Sequence, residues 1–113
     1  MPSAEWLVLV NWEQNGKPIL PGLRVECNSF HNDPYPCSCE GKGYLPTPEN
    51  LETLLTALRT AGIWGIMYWD NVKFVAIVNL LIVEDFTGVA DTPLDALMAA
   101  TLKMKTKQDA SHA

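Results

Sequence analysis

The stretch IWGIMYWDNVKFVAIVNLLIV, residues 63–83, decides the fold of this chain. Its first part, residues 63–69, is rich in residues that favour strands, and Asp70-Asn71 is typical of a tight turn. From Val72 to Val83 the chain is apolar at nearly every position, as in a strand with two covered faces. We therefore predict an antiparallel hairpin in this part of the chain.

Another hairpin is predicted near the start of the chain. Residues 5–12 (EWLVLVNW) hold four consecutive aliphatic residues, which favours a strand that is apolar on both faces. Asn15-Gly16 is a strong turn signal. Residues 23–28 (LRVECN) alternate, as in a half-buried strand whose inward residues are Leu23, Val25 and Cys27. We expect the segments 5–12 and 23–28 to pair.

Two helices are predicted, and each begins at a Thr-Pro pair. Thr47 is a good N-cap, Pro48 fits the first helical position, and Gly62 fits the end. The apolar positions between them have helical spacing: Leu51, Leu54, Leu55 and Leu58. After a loop that contains Gly88, Thr92-Pro93 opens the last helix, whose apolar stripe is Leu94, Leu97, Met98 and Leu102.

These elements predict an α+β fold of the order ββαββα, with a four-stranded, mainly antiparallel sheet and two helices packed on it. Residues 1–107 form a single domain in this interpretation, with a long irregular loop at 28–46 and a frayed tail at 108–113. Two helices do not readily cover both faces of a sheet whose first and fourth strands are apolar on both sides. An uncovered apolar face would serve as a homodimer or partner surface, unless loop 28–46 folds over it.

The chain has 113 residues and a formal net charge of −5. An acidic surface repels phosphate backbones, so we expect no direct contact with nucleic acid. The same charge suits a larger, basic protein as partner, although acidic residues also serve solubility alone. The longest apolar run is about half as long as a membrane-spanning helix, and the first residues lack the pattern of a secretion signal. We therefore expect a cytoplasmic protein without membrane contact.

All three cysteines and one of the two histidines lie within thirteen residues. Thiolates and imidazoles are the ligands that zinc takes, and four of them close a structural site. A reducing compartment favours a metal site over a disulfide, and three cysteines would leave one unpaired. The pattern indicates a structural zinc ion held by Cys27, His31, Cys37 and Cys39. The alternative is a core position for Cys27 and a solvated His31.

The same loop gives only a weak case for catalysis. Cys37 or Cys39 with His31 lacks an indicated third residue, so we name no catalytic residue. Residues 37–43 (CSCEGKG) resemble one repeat of the DnaJ-type cysteine-rich zinc domain. That family has Cys-x2-Cys and several repeats, whereas this chain has Cys-x-Cys once, so the resemblance implies no function.

Aromatic and acidic side chains are the candidates for partner contacts. We predict contacts from Tyr35 and Tyr44 on the irregular loop and from an acidic loop with Glu84, Asp85 and Asp91. The alternative for the acids is a solvated connection before a helix N-terminus, where acids are favourable. Trp64 and Trp69 lie on predicted strand segments, and we expect them in the core.

A strand, an acidic loop and the stretch DTPLDAL at residues 91–97 close the chain. This arrangement resembles the ends of small phage and prophage accessory proteins, anti-CRISPR and other anti-defence proteins among them. The resemblance implies a small protein that binds and disables or adapts a larger host protein. We therefore expect a non-enzymatic acidic binding protein. The alternatives are an immunity-type inhibitor of a basic toxin and a small metal-dependent enzyme.

Overall fold

The computed structural model describes residues 2–27, 42–80 and 84–111. Over these residues the protein is α+β, as predicted, but the predicted single four-stranded sheet is wrong, because the strands form one three-stranded and two two-stranded sheets. The helices are α1 (Ala4–Val10), α2 (Leu51–Thr60) and α3 (Pro93–Ser111). The strands are β1 (Glu13–Gln14), β2 (Lys17–Pro18), β3 (Arg24–Glu26), β4 (Tyr44–Pro46), β5 (Ile63–Trp69), β6 (Phe74–Leu80) and β7 (Glu84–Ala90).

The segment predicted as the first strand forms helix α1. Ser3 caps this helix, since its hydroxyl oxygen accepts a hydrogen bond from the backbone N–H of Trp6 at 3.2 Å. Trp6, Leu9 and Val10 are buried at helical spacing. The indole N–H of Trp6 donates to the carbonyl oxygen of Thr47 at 3.0 Å. Four consecutive aliphatic residues fit a buried strand and a short helix alike, and here the cap favours the helix.

The predicted turn at Asn15-Gly16 is confirmed. The two residues have φ angles of 56° and 77°, which a tight hairpin turn needs at both central positions. The turn joins β1 to β2. The predicted pairing of residues 5–12 with 23–28 is therefore wrong.

Strand β3 pairs instead with β4, in an antiparallel manner. Beyond the strands, the backbone N–H of Cys27 donates to the carbonyl oxygen of Gly43 at 3.0 Å. The predicted inward position of Val25 is wrong, because 47% of this residue is exposed, whereas Leu23 is buried. Residues 44–46 of the predicted irregular loop 28–46 are thus strand.

Helix α2 begins later than predicted. Its N-cap is Asn50, whose Oδ1 accepts hydrogen bonds from two backbone N–H groups of the first turn at 2.8 and 3.3 Å. The predicted cap, Thr47, is buried just after β4. Leu54 and Leu58 of the predicted stripe are buried, and Gly62, with a φ of 81°, follows the helix as predicted.

Strands β5, β6 and β7 form an antiparallel sheet in that order. The predicted β5–β6 hairpin is confirmed, with Ile66 opposite Ile77 in its middle. Strand β6 is described from Phe74 to Leu80, and residues 81–83 of the predicted strand lie outside the described part of the chain. Residues 84–90, predicted as a loop, form β7 and pair with β6 along its whole length.

Helix α3 covers one face of this sheet. It begins at Pro93 as predicted, with the hydroxyl of Thr92 accepting a backbone N–H of the first turn at 3.2 Å. The helix passes so close to Gly88 that a Cβ there would overlap the helix backbone. It runs to Ser111, past residue 108, where the frayed tail was expected to begin.

The core lies between the helices and the covered face of the three-stranded sheet. Its members include Trp6, Leu9, Trp12, Leu20, Leu23, Leu54, Leu58, Ile63, Val78, Leu97, Met98 and Met104. The sheet residues among them, together with Ala76, project from the same face of the sheet. The second face of this sheet takes no part in this core.

Candidate functional site: the open face of the three-stranded sheet

The second face of the three-stranded sheet is the candidate site, and we call it the open face. Side chains alternate along a strand, so every second residue of β5, β6 and β7 points to it. The strand register aligns these residues in rows, which are Trp64, Asn79 and Asp85; Ile66, Ile77 and Thr87; and Tyr68, Val75 and Val89. Just beyond the ends of the strands, beside the β5–β6 turn, Asp70, Lys73 and Asp91 continue the same alternation.

The centre of the open face is apolar and exposed. On β5, 73% of Trp64, 61% of Ile66 and 48% of Tyr68 are exposed, and on β7 the exposed fraction of Val89 is 51%. Val75, in the middle strand between its neighbours, is shielded. The solvated face of an antiparallel sheet normally carries polar residues. An exposed apolar surface of this kind is typical of an interaction site.

Two hollows flank the indole of Trp64. One, of about 410 Å³, lies on the open face and is lined by Trp64, Ile66, Ile77, Asn79 and Asp85. The other, of about 430 Å³, lies between the end of α2 and the start of β5 and is lined by Arg59, Gly62, Ile63, Trp64 and Gly65. Tryptophan is among the residues that most often dominate the binding energy of protein interfaces. Trp64 is therefore the strongest single contact candidate.

Carboxylates stand at both ends of the open face. Asp85 lies at the Trp64 end, where the side-chain amide of Asn79 donates a hydrogen bond to it. At the other end Lys73 lies between Asp70 and Asp91 and forms an exposed ion pair of 3.6 Å with Asp91. Among the described residues of the open face, three are acids and one is a base, so the face is net negative around an apolar centre, while Arg59 lines the hollow beside Trp64.

Asp70 is held as a carboxylate by the turn between β5 and β6. Its Oδ1 accepts hydrogen bonds from the backbone N–H groups of Lys73 at 2.8 Å and of Val72 at 3.0 Å. These hydrogen bonds favour the charged form and lower the pKa of Asp70 below its ordinary value. This end of the open face therefore keeps its negative charge at neutral and mildly acidic pH.

The acids predicted to share a loop lie instead at the two ends of strand β7. Asp85 and Asp91 belong to the open face, six residues apart along the chain. Glu84 belongs to the opposite face, and its carboxylate pairs with Lys107 of α3. The structure thus brings two of the three predicted acids to the candidate surface.

Of the two tyrosines predicted as contacts, Tyr44 lies in the described part of the chain and Tyr35 lies outside it. Tyr44 is half-buried on β4, and its hydroxyl donates to Oδ1 of Asn11 at 2.9 Å. The guanidinium of Arg24 lies 3.9 Å from the centroid of the tyrosine ring. Tyr44 is thus held by contacts within the chain, away from the open face.

The predicted burial of Trp64 and Trp69 is wrong. Trp69, at the end of β5, is 52% exposed, with its ring centroid 4.8 Å from that of Phe74. The signal that could have identified the surface is the alternation of Trp64, Ile66 and Tyr68, which places three large apolar side chains on one face. The expectation of an uncovered apolar face pointed to this surface without naming its residues.

Of the predicted zinc ligands, Cys27 lies in the described part of the chain, half-buried just after β3. His31, Cys37 and Cys39 lie outside it. Over residues 2–27, 42–80 and 84–111, no three side chains of His, Cys, Asp or Glu gather as a metal site requires. The zinc site therefore stays a prediction from the sequence.

Within the described ranges, no helix combines the length and the apolar character needed to cross a lipid bilayer. Comparisons of the chain with protein-family models, with curated proteins and with solved structures found no match.

Proposed function

We propose that this protein is a non-enzymatic binding protein that acts by occupying a surface of a larger protein through its open face. The observation that carries the proposal is the exposure of Trp64, Ile66 and Tyr68 on a sheet whose other face is packed. Apolar area removed from water contributes about 25 cal/mol per Å² to association, before the entropic costs of binding. A partner that covers these three side chains therefore gains the largest apolar contribution to its binding free energy.

The open face is supported by a paired and packed sheet, which favours binding. The three strands pair over seven residues each, and α3 packs against the covered face with Gly88 in contact with its backbone. A surface that is already formed loses little conformational freedom when a partner binds. The backbone that carries the exposed side chains of β5 is therefore in place before a partner binds.

Both inhibitory roles expected from the sequence require a surface of this kind. An anti-defence inhibitor and an immunity-type inhibitor of a basic toxin each occupy a surface of a larger protein. The acidic ends of the open face suit a basic target in either role, because complementary charge speeds encounter and suppresses wrong partners. A toxin gene next to the gene of this protein would favour the immunity role.

A capture experiment with three proteins tests the proposal. The wild type, Ile66→Glu and Val8→Glu are immobilised in parallel and exposed to a lysate of the cells in which the protein acts. Ile66 lies in the centre of the open face, whereas Val8 is an exposed residue of α1 that provides a matched control. Thermal unfolding of all three proteins checks that the fold is preserved.

We expect a protein that the wild type and Val8→Glu retain and that Ile66→Glu loses. Its release at high salt would agree with a contact that includes the acidic ends of the face. Retention of the same proteins by all three variants, or by none, would contradict binding through the open face.

A further inference from the structure

The length of the open face is set by its two acidic ends. Asp85 lies on the open face of β7, and Asp91, six residues further along, follows directly after the end of this strand and pairs with Lys73. With a rise of about 3.4 Å per residue, the two carboxylates mark a span of about 20 Å. An α-helix rises 1.5 Å per residue, so about 13 residues of helix cover the same distance.

The width of the open face also matches one helix. Three strands with a spacing of about 4.8 Å place the outer strands about 10 Å apart. A helix with its side chains measures about 10–12 Å across. The opposite face already carries a helix, α3, so a helix on the open face would complete a three-layer arrangement.

The β7 edge of the sheet is less suited to a partner than the face. The Nζ of Lys103 donates to the carbonyl oxygen of Thr87 at 2.7 Å, so a strand added at this edge would have to displace that bond. A partner that adds a strand beside β7 is thus disfavoured relative to one that lies across the face.

The negative charges at the two ends of the open face favour a basic partner and disfavour a second copy of this chain. Asp85 at one end and Asp70 with Asp91 at the other leave the apolar centre between two negative ends. A second copy of this chain, laid face to face along the strands, would place acids opposite acids in either direction, and Lys73 is the one base among the described residues of the face. Like charges placed opposite each other disfavour such a dimer.

We infer that the open face receives an amphipathic helix of the partner protein, about 13 residues long, with a central apolar stripe and a basic side chain at each end. This inference rests on the proposed function and adds the form and the charge of the segment that binds. The apolar stripe lies along Ile66 and Ile77, and the basic ends meet Asp85 and Asp91.

Selection from a displayed library tests the inference without knowledge of the natural partner. The library is a helical scaffold on yeast in which one exposed helix face is randomised, and the full chain is the target. Clones that bind the wild type are sorted again for loss of binding to Ile66→Glu. Their affinities are then measured with the double variant Asp85→Asn/Asp91→Asn and with the control Glu5→Gln/Glu52→Gln, which changes the net charge equally away from the face.

We expect the selected helices to carry Lys or Arg at both ends of an apolar stripe. Binding should weaken about tenfold in the aspartate double variant, as expected for the loss of two exposed ion pairs, and remain unchanged in the control. Helices that need Ile66 but lack basic ends, or that bind the double variant equally well, would overturn this inference and leave the proposed function standing.

Two further outcomes would show that no partner helix occupies the open face. A library without any binder that depends on Ile66 would contradict both the helix and the proposed function. A wild-type dimer in sedimentation analysis that dissociates on the Ile66→Glu change would show that a second copy occupies the face.

Discussion

Gly88 on β7 lies directly against Ala96 of α3, with no room for a side chain between them. A Cβ on Gly88 would overlap the carbonyl oxygen of Ala96 and the amide nitrogen of Ala100. We expect Gly88→Ala to lower the free energy of unfolding by about 3 kcal/mol, because a clash with backbone atoms is not relieved by a change of rotamer. Urea denaturation followed by circular dichroism measures the loss.

Gly65 on β5 provides the matched control for this prediction. A Cβ there would make ordinary contacts of 3.8 Å with Leu55 and 3.9 Å with Leu97. We expect Gly65→Ala to change the stability by less than about 1 kcal/mol. Equal losses in the two variants would contradict the close packing of α3 on β7.

Thr47 carries a buried hydroxyl that makes no hydrogen bond within the described residues. We expect Thr47→Val to raise the free energy of unfolding by about 1 kcal/mol, because valine has a similar shape and removes the unpaired polar group. Thr101 is the control, since its equally buried hydroxyl donates to the carbonyl oxygen of Leu97 at 2.8 Å. Denaturant unfolding should show a gain for Thr47→Val and no gain for Thr101→Val.

The hydrogen bonds to the Asp70 carboxylate predict that the stability of the fold depends on pH in the acidic range. The pKa of Asp70 is lower in the folded state than its ordinary value of about 3.9. Its stabilising contribution is therefore fully present above about pH 4 and disappears as the pH falls through the lower, folded pKa. We expect the difference in melting temperature between the wild type and Asp70→Asn to shrink as the pH falls from about 5 to 2. A constant difference over this range would contradict the role of the carboxylate.

Exposure of the open face predicts that its apolar residues contribute little to folding. Ile66 and Ile63 lie three residues apart on β5, with 61% and 2% of their surface exposed. We expect Ile66→Glu to cost less than about 1 kcal/mol of unfolding free energy and Ile63→Ala to cost about 2–5 kcal/mol. Chemical denaturation of both variants measures the contrast, and a reversed order would show that the open face belongs to the core.

The cysteine–histidine pattern makes a prediction that concerns metal content. Protein purified without added zinc should contain about one zinc ion per chain, since Cys27, His31, Cys37 and Cys39 together provide the ligands of a closed site. Elemental analysis and thiol titration measure it. A zinc content near zero, together with thiols that react readily, would contradict the site. Loss of the fold on chelation would agree with a structural ion, whereas loss of an activity with the fold intact would favour the enzyme alternative.

Elements whose signals are local could be predicted from the sequence. The β5–β6 hairpin, the Asn15-Gly16 turn and the start of α3 at Pro93 each depend on a few adjacent residues, and each is confirmed. Helix α1 was missed although Ser3 provides a local cap signal, and its Trp6 side chain is positioned by a hydrogen bond to Thr47, 41 residues away. Consecutive aliphatic residues alone do not distinguish the two structures.

Strand β7 and the open face show a second reason why parts of the structure could not be predicted from the sequence. The segment that contains Gly88 was predicted as a loop, but it forms a strand in which the glycine allows the close approach of α3. The alternation of Trp64, Ile66 and Tyr68 is visible in the sequence, yet which side of the sheet α3 covers is decided by tertiary packing. For the same reason the acids Asp85 and Asp91 were predicted as one patch, although the strand between them separates them.

A backbone hydrogen bond from Cys27 to Gly43 joins the chain on either side of residues 28–41. Strands β3 and β4 pair directly beside this bond, so the chain leaves and re-enters its described part at neighbouring backbone positions. The distance between these two positions is therefore fixed by the flanking residues, whatever the length of the segment between them. Cys27 and Gly43 consequently form a defined junction at which a replacement segment can be joined when the protein is engineered.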